Sequence, residues 1–599
     1  MRPLARLNTF YWKYKRLFVP GLLFAMISAG FSIAVPVIVR QAVDSIPRFV
    51  ALSRLFEGTE VQSQLFFSFF VTLLLFGLLV VGLSLLSGVF MFFMRQTVVV
   101  ASRHIEFDLR NSLYEHLQKL SQRFYHRTST GDVITRASSD IEQVRRYVGP
   151  AIMYVTRASV IMVTAVAVML VISPKLTLYV LLPMPLLAVS VFFVARLVHA
   201  RSEALQTQYS KLTSRVQEAL SGIRVLKAYT REESEARAFE HESAAYRARM
   251  LSLARIDAAW HPVFLLIVGL SQIIVVWVGG RLVVEGSITV GNIVEYIIYV
   301  ALMTWPVASL GFVITMVQRA SASIIRINEI LDTVPAIADS ERTDHTVTGI
   351  QGRIAFDHVY FRYEPEGPWV LEDATFAVDA SSTLAIVGRT GSGKSTLVEM
   401  ISRLLDPDRG AVRVDGRDVR DLPVAVLRAD IGYVPQEVFL FSDTVAGNIA
   451  FGRLGVEEER IEQAAREAEL LDNVRDFPKG FETFVGERGI TLSGGQKQRT
   501  SIARALIREP RILILDDALS AVDTNTEQRI LAHLRRRYRQ QTVVIVSHRI
   551  SAVQDADLIL VLDEGRITER GTHAQLSRGD GLYASLYRKQ LLEAELEAL

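Results

Sequence analysis

Six long runs without Asp, Glu, Lys or Arg constrain the fold more than any other feature of this sequence. A helix needs about 20 mostly apolar residues to cross the hydrocarbon core of a membrane, and each run is close to or above that length. All of them lie before about residue 320. They predict an all-α transmembrane domain with six helices, over Leu17–Val39, Gln64–Met94, Ala158–Ser173, Leu176–Ala195, Ala258–Gly280 and Tyr296–Gln318.

Basic residues in the amino-terminal flank predict the orientation of these spans. Lys and Arg near span ends are retained in the cytoplasm, and the flank carries Arg2, Arg6, Lys13, Lys15 and Arg16. Six crossings then return the second half of the chain to the cytoplasm. We therefore expect a multi-pass protein of a bacterial inner (cell) membrane. A cleaved signal peptide is the alternative for the first run, whose length argues against it.

The chain beyond the last span has the mixed composition of a soluble domain. Its formal net charge of +3 over 599 residues is too small to predict a nucleic-acid partner, and the lack of cysteine excludes disulfides and thiolate chemistry. Strand-like and helix-like stretches alternate from Ile354 onward, which is typical of an α/β domain. We predict a transmembrane domain over 1–325, a linker over 326–350 and an α/β domain over 351–599.

A phosphate-binding loop stands near the start of the α/β domain. The apolar strand Leu384–Val387 runs into Gly388-Arg-Thr-Gly-Ser-Gly-Lys-Ser395, and the helix-like Thr396–Leu405 follows. Glycines let backbone N–H groups converge on phosphate oxygens at the positive end of a helix, while the lysine adds charge and Ser395 offers Mg²⁺ a hydroxyl. The pattern predicts a P-loop NTPase that binds ATP and Mg²⁺ through Gly388, Arg389, Thr390, Gly391, Ser392, Gly393, Lys394, Ser395 and Thr396.

A second apolar strand supplies the acidic side of the expected metal site. Ile512–Leu515 ends in Asp516, which is the position of a Walker-B carboxylate. Ser395 and Asp516 are thus predicted metal ligands.

Leu492-Ser-Gly-Gly-Gln496 lies between the P-loop and Asp516. This segment resembles the signature motif of ABC transporter ATPases, and six spans followed by one cassette are similar to an ABC exporter half-transporter. In that family each ATP lies between one P-loop and the signature motif of a second cassette, so the resemblance implies a dimer. It adds five residues that would bind the partner's nucleotide: Leu492, Ser493, Gly494, Gly495 and Gln496.

Four more residues take roles that the resemblance implies. Tyr363 would stack on adenine, and Gln436 would be the Q-loop residue, with both metal-binding and catalytic functions. Asp523 would end the D-loop and contact nucleotide, and His548 would be the catalytic switch histidine.

One position departs from the family pattern. Strongly hydrolysing members carry glutamate after the Walker-B aspartate, whereas this chain has Asp517. A carboxylate misplaced by about 1 Å can cost about 100-fold in rate. The chain's own site is therefore expected to hydrolyse slowly, with Asp517 as its catalytic carboxylate, and a heterodimer with a glutamate-bearing partner is favoured. A homodimer, and an ATP-gated channel-like or regulatory subunit, remain alternatives.

No acidic residue lies near the middle of a span, so neither a proton relay nor a dedicated cation site is predicted. The spans favour a hydrophobic or amphipathic cargo, such as drugs, lipids or peptides. Trp260, His261, Met303, Trp305 and Pro306 are candidate substrate contacts, although packing between helices is the favoured interpretation of each residue taken singly.

Two cytoplasmic segments are similar to the coupling regions of exporters: Thr130–Arg136 with Asp140, and Glu218–Lys227. Solvated helix surface is the other interpretation of both segments.

Overall fold

The apolar runs fold into helices much longer than a membrane crossing requires. The computed structural model describes residues 2–537 and 540–598. It forms two units, a membrane unit over Met1–Leu117 and Gly131–Asp332, and a cassette unit over Gln118–Thr130 and Thr333–Leu599. The helices up to the end of the membrane unit are α1 Leu7–Lys13, α2 Lys15–Leu55, α3 Glu60–Lys119, α4 Gln122–Arg127, α5 Thr130–Thr135, α6 Ile141–Arg146, α7 Ile152–Ile172, α8 Pro174–Leu181, α9 Pro183–Ser221, α10 Ile223–Ala228, α11 Glu232–Val284 and α12 Val290–Leu331.

Six helical stretches of the described chain are long and apolar enough to cross a membrane, which confirms the predicted spans. The third combines α5, α6 and α7 through two π-helical turns, and the fourth combines α8 and α9. Good helix formers in the long cytoplasmic loops extend α3, α9 and α11 well beyond the apolar runs.

The last helix of the membrane unit continues beyond the predicted domain boundary at residue 325. Ile324, Ile327 and Ile330 recur at helical spacing and are fully buried, so burial of this stripe extends α12 to Leu331.

Asp140 takes part in packing within the membrane unit instead of lying on a solvated surface. It accepts hydrogen bonds from Ser323 Oγ at 2.9 Å and Arg326 Nε at 2.8 Å, both on α12, and only 3% of it is exposed. This ion pair ties the helices before α7 to the end of the last span.

The cassette unit contains two sheets. The strands are β1 Ile354–Phe361, β2 Leu371–Val378, β3 Thr383–Gly388, β4 Arg409–Val414, β5 Arg417–Asp418, β6 Ile431–Val434, β7 Ile512–Asp516, β8 Thr542–Val546, β9 Leu558–Asp563 and β10 Arg566–Gly571. An antiparallel sheet has the order β2-β1-β4-β5. The larger sheet has the order β10-β9-β3-β8-β7-β6 and is parallel except for β10.

Helices cover the larger sheet, with apolar clusters beneath them. Because β3, β8 and β7 are parallel neighbours, the loops at their carboxyl ends meet at one edge of the sheet, where α/β folds bind ligands. The helices of this part are α13 Lys394–Ile401, α14 Val424–Ala429, α15 Val445–Ala450, α16 Glu458–Glu467, α17 Leu471–Asp476, α18 Gly494–Leu506, α19 Thr524–Arg537, α20 Ile550–Val553, α21 His573–Leu576 and α22 Leu582–Ala598.

Candidate nucleotide site

A cavity of about 260 Å³ opens at the carboxyl edge of β3, β7 and β8. Residues from the P-loop, the Walker-B strand, the Q-loop position and the switch position share its wall. The lining comprises Tyr363, Val370, Thr390, Gly391, Gly393, Lys394, Ser395, Thr396, Gln436, Asp516, Asp517, Val546 and His548.

The P-loop needs glycine where the chain passes close to its neighbours. Gly393 has φ +98°, and a Cβ there would lie 2.7 Å from the carbonyl oxygen of Val370. The next residue, Lys394, begins α13 and donates from Nζ to the carbonyls of Gly388 at 2.9 Å and Arg389 at 2.7 Å. Burial lowers the pKa of Lys394, and the nearby carboxylates of Asp516 and Asp517 oppose that shift.

Three P-loop residues that the sequence assigned to the nucleotide, Gly388, Arg389 and Ser392, are not among the described residues that line the cavity. The carbonyls of Gly388 and Arg389 hold Lys394, whereas the Arg389 side chain is exposed. Ser392 is only 4% exposed, and its Oγ has no hydrogen-bond partner in the described part of the chain. An orphaned buried hydroxyl in this loop fits a bound phosphate, which would accept its hydrogen bond.

The residues proposed as metal ligands lie in the same wall. Asp516 is buried, which raises its pKa, while a hydrogen bond with Ser395 acts in the opposite direction. Gln436 lines the cavity with them. A hydroxyl, an amide oxygen and a carboxylate are hard oxygen ligands of the kind that Mg²⁺ prefers, so these residues fit that ion.

Tyr363 lies at the rim expected for adenine and is held from both sides. Its hydroxyl is 3.1 Å from Thr396 Oγ1, and its ring packs edge-on against Phe361 and His126. Arg123 of α4 donates from Nε to the carbonyl of Tyr363 at 3.1 Å. Helix α4 thus binds the cassette directly. It precedes Thr130–Arg136, the segment that the resemblance selected for coupling.

Asp517 occupies an unusual backbone conformation at the cavity wall. Its φ is +48°, a left-handed value that Asp adopts several times more often than most residues. Its N–H donates to the carbonyl of Val546 at 2.9 Å, and its own carbonyl accepts from Ser520 Oγ at 2.9 Å. These bonds join β8 and the D-loop to Asp517, the position that carries glutamate in the family pattern.

His548 faces the cavity with a lowered pKa, because burial and then the positive charge of Lys394 disfavour the imidazolium. A residue that the sequence did not indicate holds its backbone. Gln590 of α22 donates from Nε2 to the carbonyl of His548 at 2.6 Å and accepts from the N–H of Ile550 at 2.8 Å. Only the return of α22 to this loop identifies Gln590, since nothing in its local sequence marks it.

The signature residues lie elsewhere, and none of them lines the cavity among the residues described. Ser493 caps α18 in a reciprocal box: its Oγ accepts from the N–H of Gln496, whose Oε1 accepts from the N–H of Ser493. Leu492 is buried, whereas Ser493 and Gly494 are exposed. A Cβ on Gly495 would lie 2.9 Å from the carbonyl oxygen of Ala521.

Asp523 also lies outside the cavity lining. Its Oδ1 accepts from the N–H of Thr526 at 3.0 Å, and this hydrogen bond is the largest cause of its lowered pKa. Within one chain it therefore caps α19.

The span residues proposed as substrate contacts separate into two groups. Met303 and Pro306 are buried between helices, and α12 runs through Pro306 without interruption. Trp260 and Trp305 line two open grooves of the membrane unit, and His261 is exposed.

Known proteins resemble this chain in both sequence and fold. The family model of the ABC transporter transmembrane region matches residues 18–307, and that of the ABC transporter matches residues 371–520. The chain is 38% identical over 489 residues to YheI of Bacillus subtilis, a probable multidrug resistance ABC transporter ATP-binding/permease protein, covering 81% of this chain and 83% of that protein. The chain belongs to the ABC transporter family.

Two further relatives place this ABC transporter among the exporters. The multidrug resistance-like ATP-binding protein MdlA of Escherichia coli is 38% identical over 83% of this chain and 84% of that protein. A bacterial Atm1-family ABC exporter solved with ATP bound has a TM-score of 0.80 at 28% identity, covering 96% of this chain and 99% of the other. The protein is thus an ATP-driven exporter with a helical membrane unit and an ATPase cassette.

Proposed function

We propose that this ABC exporter is one subunit of a heterodimer that expels hydrophobic or amphipathic compounds from a bacterial cell. Its own Walker motifs bind Mg·ATP and hydrolyse it slowly. Its signature motif completes the site of a partner half-transporter that carries glutamate after the Walker-B aspartate.

The observation that carries this proposal is Asp517 at the cavity wall. The backbone there is fixed by bonds to Val546 and Ser520, so the shorter side chain has little freedom to advance towards a water molecule. General-base assistance is worth about 10²–10⁴-fold in rate, and it depends on hydrogen-bond reach. A glutamate at this position would extend one methylene further, so we expect the Asp517 carboxylate to fall short of that reach.

The signature motif also supports the proposed heterodimer. Ser493 and the N–H groups of Gly494 and Gly495 begin α18 on an exposed surface, where a phosphate from another chain has access. The capping box is formed within this chain, so the start of the helix does not depend on the partner.

Within the chain's own cavity, each residue has a distinct task. Lys394 and the P-loop N–H groups would bind the phosphates, and Ser395, Gln436 and Asp516 would hold Mg²⁺. The ion, when bound, neutralises charge on the β- and γ-phosphates. Neutral His548 would donate or accept one hydrogen bond at the γ-phosphate, in the position that Gln590 fixes.

The membrane unit supports the proposed cargo class. A groove lined by Phe264, Trp305 and Phe312 is apolar, and its hydroxyls on Thr304 and Ser309 are bonded to backbone carbonyls of α12. The relatives described as multidrug transporters are consistent with such a surface.

ATPase measurements on the purified chain, alone and with a glutamate-bearing half-transporter, test the proposal. We expect slow turnover alone and at least about 10-fold faster turnover in the complex. Asp517→Asn should leave the rate of the complex almost unchanged. Brisk hydrolysis by the chain alone, lost in Asp517→Asn, would instead establish a competent homodimer.

A further inference from the structure

The left-handed backbone of Asp517 needs support from the rest of the cassette. Its φ is +48°, in a region that residues with a side chain keep only where surrounding contacts hold them. Within the described chain its carbonyl oxygen accepts from Ser520 Oγ at 2.9 Å, from the Ser520 N–H at 3.3 Å and from Gln498 Nε2 at 3.4 Å. The conformation of the residue that carries the proposed catalytic carboxylate therefore depends on donors outside its own strand.

Gln498 reaches this position from α18, the helix that begins with the signature motif. Its side chain is buried, with only 6% of the residue exposed, and it does not line the nucleotide cavity among the residues described. Its Nε2 also donates to Ser520 Oγ at 3.0 Å, and its Oε1 accepts from the N–H of Ala521 at 2.9 Å. Both ends of the amide are thus bonded to the loop, and the Ser520 hydroxyl relays one of these bonds to the carbonyl of Asp517.

A glycine brings α18 close enough for this contact. A Cβ on Gly495 would lie 2.9 Å from the carbonyl oxygen of Ala521, so the helix approaches the loop at a distance that a larger residue would prevent. Gln498 lies three residues further along, on the same face of the helix. The signature glycine therefore helps to set the distance at which Gln498 binds the loop.

Arg549, the residue after the switch histidine, holds the same loop from a second element. It donates from Nη2 to the carbonyl of Ser520 at 3.0 Å and from Nη1 to the carbonyl of Val522 at 2.9 Å. Its Nη1 also lies 2.7 Å from Oε2 of Glu527, which is fully buried. A planar guanidinium with fixed donors can serve two carbonyls and a carboxylate together, whereas an ammonium cannot. The loop is therefore tied to the switch segment as well as to α18.

We propose that Gln498 and Arg549 are positioning residues that set the backbone of Asp517, and with it the direction of the carboxylate towards the attacking water. Neither lines the cavity among the residues described, so each acts through the loop and not on the nucleotide. The helix that begins with the signature motif would thereby also serve the chain's own site. The inference rests on the catalytic role of Asp517 in the proposed function, and it names the residues on which that role depends.

Single-turnover hydrolysis of Mg·ATP by the purified full chain in detergent, with protein in excess, separates binding from chemistry. We expect Gln498→Leu to lower the rate constant by about tenfold, because hydrogen bonds that hold the loop are lost. The Kd for ATP should not change, because the P-loop is intact. Gln351→Leu makes the same substitution at an exposed position before β1 and should alter neither value. An unchanged rate constant in Gln498→Leu would overturn the proposal.

Variants of Ser520 guard against a folding defect, because this residue is exposed. Ser520→Ala removes the relay and should also lower the rate constant by about tenfold, whereas Ser520→Thr retains the hydroxyl and should keep most of the rate. Combined with Gln498→Leu, Ser520→Ala should cost less than the product of the two single losses, since both variants break one relay. Fully independent losses would refute the relay.

The Asp517→Asn background decides whether the network acts through the carboxylate. In that background Gln498→Leu should cause no further loss, and an equal loss there would place its effect elsewhere and overturn the proposal. Arg549→Lys keeps a charge for Glu527 but loses the fork, so it should slow the wild type by about threefold and the Asp517→Asn variant not at all. An unchanged rate in Arg549→Lys would remove Arg549 from the positioning pair.

The same measurements separate this inference from the proposed function. If Asp517→Asn alone leaves the rate constant unchanged, the catalytic role of Asp517 fails and the inference falls with it. If Asp517→Asn slows the reaction and Gln498→Leu does not, only the inference fails.

Discussion

The Walker side and the signature side of the cassette differ in how much of a nucleotide site a single chain forms. The Walker side is a formed cavity, closed by Lys394, Asp516 and His548, but its catalytic position carries an aspartate. The signature side has its full motif and a capped helix, but none of the described signature residues lines that cavity. In the proposed heterodimer, the Walker side would be a formed site with a shorter catalytic carboxylate, and the signature side would be an intact motif that a second chain completes.

The largest effect should come from breaking the signature side. In the complex with a glutamate-bearing partner, Ser493→Arg should lower ATP turnover by at least about 100-fold, because phosphate-binding donors at the active site are lost. Lys394→Met, on the Walker side, should lower turnover only a few-fold. Steady-state ATPase rates of the two variants provide the comparison, and equal losses would remove the distinction between the sides.

Repair of the Walker side should have the next largest effect. Asp517→Glu in the chain alone should raise its ATPase rate by about 10-fold or more, because the longer side chain brings the carboxylate within reach of water. Asp517→Gln has the same length without the base and is the matched control. If the glutamate variant is no faster than the wild type, the left-handed backbone at this position, not the side-chain length, limits the site.

The support of His548 can be weakened without touching the cavity. Gln590→Ala removes two hydrogen bonds to the switch loop and should lower kcat of the chain alone by about 3–10-fold with little change in KM for ATP, since each bond contributes about 1 kcal/mol. Gln590→Glu retains an acceptor for Ile550 and should lose less. A change in KM alone would mean that α22 supports nucleotide binding and not the position of His548.

The smallest effect concerns Glu399, which lies on α13 behind the P-loop. Burial, and then the negative charge of Asp516, raises its pKa from 4.5 to about 7. The folded state therefore holds a proton that the unfolded state has lost, and the stability from this group is complete below about pH 4.5 and is lost as the pH rises through 7.

Glu399→Gln should accordingly raise Tm at pH 8 by about 2–4 °C, and the gain should shrink as the pH falls towards 5. Thermal unfolding of the full chain in detergent measures both values, with exposed Glu366→Gln as the control. A gain that does not vary with pH would contradict the assignment of the charge to Glu399.

The sequence alone was sufficient to predict features that depend on short stretches of the chain. The length of an apolar run sets whether a helix can cross a membrane, and the six spans follow from it. Glycine spacing between a strand and a helix sets the P-loop, and the chain folds there as expected. The presence of Asp517 where the family pattern has glutamate is likewise visible in the sequence alone, because it changes one residue of a motif whose order is known.

Contacts between distant segments were decided only by the tertiary structure. Gln590 meets His548 across 42 residues, and Arg123 meets Tyr363 across 240, so no local pattern marks either pair. For Asp140 the sequence left both a coupling segment and a solvated surface open, and its partners Ser323 and Arg326 place it in the packing of α12. The sequence determined the spans, the P-loop and the aspartate at position 517, since these depend on composition and short spacing. Only the fold brought Gln590 to His548 and Asp140 to Arg326, since such contacts depend on which helices and loops meet.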